Sequence, residues 1–156
     1  MYGLGIVKGM LLTLRHLFRK PITTQYPEER LTVSRRTRGT QVIWNRDACI
    51  ACSICASACP VGCIDMTTSK GDDKKLKVDN ISIDFGECIF CGLCVEACPA
   101  SALFMGYNSE WAEYQRDKLI LSNDELLPSE KRQPSGYARP EVEKTLPRQT
   151  LLIDRD

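Results

Sequence analysis

The sequence predicts an α+β domain built from two similar halves, with a helix before it and an extended C-terminal arm after it. Two observations lead to this prediction: a segment of the chain repeats at a shift of 39 residues, and an apolar stripe with helical spacing precedes the repeat. The chain has 156 residues, 43% of them hydrophobic, which is typical of one soluble domain. We expect four parts: residues 1–20 as an amphipathic helix, 21–40 as an extended basic linker, 41–107 as the two-half domain, and 108–156 as short helices and the arm.

The N-terminal segment becomes amphipathic when it is wound as an α-helix. Eight apolar residues then fall within an arc of roughly 160°: Leu4, Ile6, Val7, Met10, Leu11, Leu14, Leu17 and Phe18. The segment is too short and too often charged to cross a bilayer, which needs about 20 mainly apolar residues. We expect it to lie in the membrane interface or against partner helices, with packing on its own domain as the plainer alternative.

Charge is distributed unevenly along the chain. Residues 1–46 contain nine Lys or Arg and two Glu, a net +7, whereas the whole chain has a net charge of only +1. The segment Arg35-Arg36-Thr37-Arg38 does not indicate a nucleic-acid partner, because no aromatic residues interleave with it and the rest of the chain is acidic. A solvated or lipid-facing basic linker is predicted instead.

The middle of the chain contains two copies of one unit. Aligning Cys49 with Cys88 superposes Cys-Ile-Ala-Cys-Ser-Ile-Cys-Ala-Ser-Ala-Cys-Pro on Cys-Ile-Phe-Cys-Gly-Leu-Cys-Val-Glu-Ala-Cys-Pro. The apolar flanks align as well: Val42-Ile43-Trp44 with Ile81-Ser82-Ile83, and Ile64-Asp65-Met66 with Leu103-Phe104-Met105. Each unit is therefore predicted to be a strand, a cysteine loop, one or two helical turns and a second strand. Placed back to back, the two units form a pseudo-two-fold domain.

Eight of the nine cysteines have the spacing C-x2-C-x2-C-x3-C-P, twice over. This spacing is the bacterial type for iron-sulfur ligation, in which the fourth cysteine binds the other cluster of a two-cluster protein. We therefore predict a bacterial-type ferredoxin domain with two 4Fe-4S clusters. The first cluster is assigned to Cys49, Cys52, Cys55 and Cys98, and the second to Cys88, Cys91, Cys94 and Cys59.

Zinc is the main alternative for these cysteines, since paired C-x2-C motifs also build closed tetrahedral sites. Zinc does not need three evenly spaced cysteines followed by a fourth and a proline. A disulfide scaffold fits less well, because no cleavable signal precedes the domain and reduced thiols are expected. The ninth cysteine, Cys63, is expected to be a small buried residue, since Ala102 takes its place in the second unit.

No catalytic constellation competes with the cysteines. His16 is the single histidine, and the chain has no Gly-rich phosphate loop. Two clusters without a substrate site indicate an electron relay. Residues 47–69 and 78–105 contain no Lys or Arg, so the acidic residues there should keep the reduction potentials low.

Beyond the domain, two further elements are predicted. Residues 108–117 could form a capped helix, and Ser122-Asn123-Asp124-Glu125 has the capping-box pattern of a short helical turn. Pro128, Pro134, Pro140 and Pro147 lie among polar residues, which favours an extended arm that orders on a partner surface.

Together, Lys20-Pro21-Ile22-Thr23, Gln25-Tyr26-Pro27-Glu28, Arg38-Gly39 and the two cysteine motifs resemble the subunit I (TYKY-type) family of respiratory complex I, up to about Leu127. The resemblance implies a non-catalytic electron-transfer subunit of a proton-pumping NADH:quinone oxidoreductase, passing electrons through two 4Fe-4S clusters toward a terminal cluster and quinone. It implies neighbouring iron-sulfur subunits and membrane-arm subunits as partners. It also implies a peripheral location on the cytoplasmic face of the cell membrane, or on the matrix or stromal face in an organelle.

Other proteins use the same cluster residues. A ferredoxin-dependent complex I, a membrane-bound hydrogenase and an F420-type dehydrogenase reuse such a subunit, and the clusters do not separate them because the electron donor binds elsewhere. A free ferredoxin is the alternative from another class, but it has no need of the N-terminal helix and the long arm.

Overall fold

The computed structural model describes residues 3–21, 23–39, 41–71, 74–108, 110–130, 132–137 and 139–150. These residues divide into two units. The first extends to Thr32 and takes in Thr150, and the second is Val33–Gln149. Within the first unit, the Thr150 amide donates a hydrogen bond to the Thr32 carbonyl (3.2 Å), and the Thr32 amide donates one to Thr150 Oγ1 (2.9 Å).

The first unit contains helix α1, Leu4–Leu17. No residue of α1 is buried, and its apolar side chains are among the most exposed of the chain, with Leu17 at 74% and the adjoining Phe18 at 81%. Pro21 follows shortly after, where a proline stops a helix from continuing. Among the described residues, no helix combines the length and the apolar character that a membrane crossing needs.

The second unit contains two small antiparallel sheets. Strand β1 (Val42–Trp44) pairs with β4 (Leu103–Met105), while β2 (Ile64–Lys70), β3 (Leu76–Asp84) and β5 (Ile120–Ser122) form the other sheet in the order β2-β3-β5. We call residues 42–70 the first half and residues 76–105 the second half. Each half therefore contributes one strand to each sheet, so neither half has a sheet of its own.

Two short helices lie between strands, α2 (Ile54–Ser57) and α3 (Leu93–Glu96), and a third, α4 (Pro140–Glu143), follows the last strand. The core lies between the sheets and the cysteine loops, and its most completely buried side chains include Trp44, Ile81, Ile83 and Leu126. Burying such a side chain stabilises the fold by about 1.5–3 kcal/mol. On β3, Ile81 and Ile83 face the core while Ser82 between them is only half-buried, as the two-residue period of a strand requires.

Left-handed residues occur at matching positions in and after the two cysteine loops. Positive φ angles occur in three pairs, each 39 residues apart: Ala51 (56°) with Phe90 (52°), Ser53 (57°) with Gly92 (81°), and Gly62 (73°) with Ser101 (48°). Left-handed residues turn the chain in a direction that helices and strands do not allow. The repeat seen in the sequence is therefore also a repeat of backbone conformation.

The predicted helix over residues 108–117 is wrong for the described part of that segment. Residues 110–115 are not helical, and a 3₁₀ turn occupies Arg116–Leu119. Tertiary contacts override the local pattern here: the Trp111 ring packs edge-on against Phe85 (5.1 Å between centroids), and Arg116 pairs with Asp84. The capping box at Ser122 and Glu125 is confirmed, at the start of the 3₁₀ turn Asn123–Leu126.

The C-terminal segment packs on the second unit itself. The Ser135 amide donates to the Met105 carbonyl (2.9 Å), and the Gly136 amide donates to the Arg35 carbonyl (3.0 Å). Ser135 and Leu146 are buried. The sequence suggested an arm that orders on a partner surface, whereas residues 132–137 find backbone partners next to β4, whose outer edge accepts them.

Candidate metal centres

The eight predicted ligands surround two cavities of the second unit. The first cavity is lined by Cys49, Cys52, Cys55 and Cys98. The second is lined by Cys59, Cys88, Cys91, Cys94 and also Cys63. The structure thus brings the three cysteines of each loop together with the fourth cysteine of the opposite half.

This crossing follows from the local structure around the fourth cysteine. Cys55 lies in α2 and Cys94 in α3, and both are buried. Three further residues make about one helical turn and carry the chain past the end of each short helix to Cys59 or Cys98. There the fourth cysteine has left its own loop and lies beside the loop of the other half.

Backbone amides donate hydrogen bonds to several of the sulfur atoms. The Phe90 amide donates to Cys88 Sγ (3.4 Å), and the Ala102 amide donates to Cys98 Sγ (3.3 Å). Burial raises the pKa of Cys59, but hydrogen bonds from the backbone of Cys63 and Val61 and from the Cys63 thiol outweigh it, so the pKa is lowered. The donors to Cys59 favour its thiolate, which is the form that binds metal.

Burial has the opposite effect on the central cysteine of each loop. It raises the pKa of Cys55, and the charges of Cys49, Cys52 and Cys98 raise it further. It also raises the pKa of Cys94 to about 12, with contributions from Cys88, Cys55 and Cys91. Four thiolates crowded around a buried space repel one another, and a bound cation removes that cost.

The donor set fits an iron-sulfur cluster better than a single ion. Zinc, with Zn–S bonds of about 2.3 Å, holds tetrahedral thiolates roughly 3.8 Å apart. Among the described residues, no three Cys, His, Asp or Glu side chains are close enough to hold one metal ion. The C-x2-C-x2-C-x3-C-P spacing of both loops is instead the pattern that binds a cubane.

A buried polar atom gives a second indication of fit. Trp44 lines the first cavity, and its Nε1 is buried without a hydrogen-bond partner among the described residues. Buried N–H groups are nearly always paired in folded proteins. Sulfur atoms of a bound cluster would supply the missing acceptor.

Cys63 is buried and contacts the second group of cysteines. Its Sγ lies 3.4 Å from Cys59 Sγ. Burial raises the pKa of the Cys63 thiol, and the neighbouring thiols of Cys59 and Cys88 raise it further. The prediction of a small buried residue is confirmed, but its position against a predicted ligand was not foreseen.

Basic residues from outside the repeat approach the second cavity. Arg38 of the linker lies with Cys91, Gly92 and Glu96 around a surface cavity of about 540 Å³. Arg116 pairs with Asp84 (2.9 Å) and Glu87 (3.1 Å), directly before Cys88. No spacing in the sequence indicates these approaches, so the surroundings of the second cavity are less acidic than the repeat alone suggests.

Comparison with known proteins agrees with this chemistry. Residues 48–102 match the family described as 4Fe-4S dicluster domain. The chain is 41% identical over 142 residues to NADH-quinone oxidoreductase subunit I 1 of Rhodopseudomonas palustris (strain BisA53), covering 88% of this chain and 82% of that protein. It is 47% identical over 120 residues to NAD(P)H-quinone oxidoreductase subunit I of Prochlorococcus marinus (strain MIT 9303), covering 76% and 54% respectively.

A solved structure shares the fold. It is the membrane-bound sulfane sulfur reductase, an archaeal respiratory membrane complex, with a TM-score of 0.50 and 25% identity over 86% of this chain and 68% of that chain. The cofactors of the chain are two 4Fe-4S clusters, in an α+β dicluster ferredoxin domain. With relatives this similar over most of its length, the chain belongs to the NADH-quinone oxidoreductase subunit I family.

Proposed function

We propose that this chain relays electrons through its two clusters inside an NADH:quinone oxidoreductase, from the NADH-oxidising side toward a terminal cluster and quinone. The observation that carries the proposal is the pair of cavities, each lined by four predicted cluster ligands, in a member of the subunit I family. When bound, each cluster takes up and releases one electron. No residue of this chain breaks a substrate bond, so it serves the proton-translocating enzyme without being its catalytic subunit.

The ligand assignment is part of this proposal. Cys49, Cys52, Cys55 and Cys98 hold the first cluster, and Cys88, Cys91, Cys94 and Cys59 hold the second. The lining of the two cavities supports it, as does the grouping of Cys98 with Cys49 and Cys52 as charged neighbours of Cys55. The exchanged strands and the three pairs of left-handed residues likewise support a pseudo-two-fold relation between the halves.

Pairs of cysteine variants test the crossed assignment in the full-length, anaerobically purified chain. Cys98→Ser and Cys49→Ser are each expected to lose half of the iron, and their double variant no more than half, because both act on one cluster. Cys98→Ser combined with Cys88→Ser is expected to lose all of it. Uncrossed ligation predicts the reverse for the two doubles. The matched control is Cys63→Ser, which should keep all of the iron.

We further propose that helix α1 holds the chain peripherally on the cytoplasmic face of the membrane, or on the equivalent organelle face, next to membrane-arm subunits. The support is a helix with exposed apolar residues and with Arg15 in its last turn. Such a helix suits an anionic membrane interface. Neighbouring iron-sulfur subunits complete the proposed set of partners.

Single substitutions on α1 test this attachment. Leu11→Glu is expected to release the chain from membrane fractions without loss of iron, because it places a charge on the apolar face. Gly9→Glu on the polar side, where an added side chain meets nothing within 4 Å, is the matched control and should leave the chain bound. Full membrane assembly of a chain that lacks residues 1–19 would show that the helix is not the anchor.

A second candidate is the equivalent subunit of a respiratory complex with another electron donor. This candidate is supported by the structural similarity to the membrane-bound sulfane sulfur reductase, which is an archaeal respiratory membrane complex. The two candidates differ in the donor, which does not bind to this chain. Quinone reduction by the purified complex with NADH, compared with reduced ferredoxin, distinguishes them: activity with ferredoxin alone would contradict the NADH assignment.

A further inference from the structure

Each cavity has one buried side-chain hydrogen-bond donor that the opposite half does not provide. At the second cavity the donor is the thiol of Cys63, and the residue 39 positions later is Ala102. At the first cavity the donor is the indole of Trp44, and the residue 39 positions later is Ile83. The two centres therefore have similar ligands but different neighbours.

The Cys63 thiol lies against a proposed cluster ligand. It is 7% exposed, and its Sγ is 3.4 Å from Cys59 Sγ, within hydrogen-bonding range for sulfur. A cysteine bound to iron has lost its proton, so Cys59 is the acceptor of this pair. A thiol that is not a metal ligand carries an S–H group, which can donate a hydrogen bond to a neighbouring sulfur. Cys63 is therefore the donor.

The Trp44 indole has a donor and no acceptor within the described chain. The side chain is 1% exposed and lines the cavity formed by Cys49, Cys52, Cys55 and Cys98. The indole N–H can only donate, and buried donors are normally paired. The sulfur atoms of the first cluster are the acceptors that this cavity would offer.

We propose that these two donors tune the two clusters separately, Cys63 raising the reduction potential of the cluster held by Cys59 and Trp44 that of the cluster held by Cys98. Hydrogen bonds to the sulfur atoms stabilise the negative charge that an added electron brings, and such bonds are among the factors that set cluster potentials. The inference rests on the proposed function, which requires both clusters. It concerns the difference between the reduction potentials of the two clusters.

The test is an EPR-monitored redox titration of the full-length chain carrying Cys63→Ala or Trp44→Phe. Cys63→Ala should lower the potential of the second cluster alone, and Trp44→Phe that of the first alone, so each variant is the control for the other. The expected change is about tenfold in the reduction equilibrium, or 59 mV for a one-electron couple. Cys63→Ser, which restores a donor, should recover most of the shift.

Adding Cys98→Ser or Cys59→Ser assigns each shift, because one cluster then remains. Potentials that stay unchanged with both clusters present would overturn the inference and leave the relay intact. Equal shifts of both clusters would also overturn it, since they indicate a general structural effect. Loss of half the iron in Cys63→Ala would make Cys63 a ligand rather than a donor. A wild-type chain without clusters would instead refute the proposed function.

Discussion

The two halves of the second unit share a backbone path but not a set of contacts. Ala51 and Phe90 have nearly the same left-handed φ, yet Ala51 is buried, whereas the half-buried Phe90 stacks on Phe85 with 6.0 Å between ring centroids. Ser53 stands where the second half has Gly92. The comparison shows that ligand geometry is set by the cysteines and the backbone, while the surrounding side chains are free to differ.

Among the changes that test this comparison, removal of both clusters should lower the stability of the protein most. Each half supplies one strand to each sheet, so the halves are expected to unfold together when iron and sulfide are stripped anaerobically. The lost stabilisation should be about 10 kcal/mol, the scale known for structural metal sites in small domains. Circular dichroism and visible absorbance should decay together, and a folded half that survives stripping would contradict shared sheets.

The next largest loss of stability is expected from truncating a core side chain, and this loss should differ between the two halves. Trp44→Ala removes a large buried ring and is expected to cost about 3–5 kcal/mol, whereas Ile83→Val at the equivalent position should cost about 0.5–1.5 kcal/mol. The measurement is the guanidinium concentration that bleaches the clusters. A loss for Trp44→Ala no larger than that for Ile83→Val would mean that the structure collapses into the space left by the ring.

Replacing the glycine of the second cysteine loop by the serine found in the first loop should lower stability by a smaller amount. A Cβ at Gly92 meets nothing closer than Met105 Sδ at 4.0 Å, so the cost arises from the left-handed φ of 81° alone. Gly92→Ser is expected to destabilise by about 1 kcal/mol, because Ser53 tolerates the matching position. Thermal bleaching of the clusters checks this, with Ser53→Gly as the reciprocal control. A loss of several kcal/mol would mean that the second loop is held more rigidly than the first.

The smallest effects should come from surface ion pairs. Arg46 and Asp124 are 2.6 Å apart, but their side chains are 52% and 80% exposed, so Arg46→Gln should change stability by less than about 1 kcal/mol. Arg116 bridges two carboxylates beside the second half, one of them mostly buried, so Arg116→Gln should cost more than Arg46→Gln. Raising the salt concentration should weaken the Arg46–Asp124 pair more than the pairs formed by Arg116. A reversed order would indicate that Arg46 supports the fold through Trp44, whose ring it overlies.

Short-range patterns predicted much of this molecule. The strands at Val42–Trp44 and Leu103–Met105 lie where the apolar flanks of the repeat indicated, and the capping box at Ser122 formed. The grouping of the cysteines around two cavities agrees with the spacing of the motif. The strands and the capping box depend on residues a few positions apart, which is the range that periodicity and capping report. The crossed grouping of the cysteines was predictable only because the spacing of the motif is known to bind two clusters in this way.

Contacts between distant parts of the chain were not predictable in this way. Arg38 reaches the rim beside Cys91, and Gly136 pairs with Arg35, across more than 50 residues in the first case and about 100 in the second. Trp111 packs on Phe85 and is not part of the helix that its local sequence pattern indicated. No local composition signals such pairings, because the free energy that selects them comes from surfaces that exist only once the sheets have formed.

The pairing of β1 with β4 governs how the protein can be made. Within the described residues, Val42–Trp44 has only Leu103–Met105 as a strand partner. During synthesis β1 therefore has no strand partner until about 60 further residues have left the ribosome. Contacts so distant in sequence form slowly. An emerging chain that stops before Leu103 lacks this sheet entirely, so folding of the unit is a late, single event rather than the addition of one half to another.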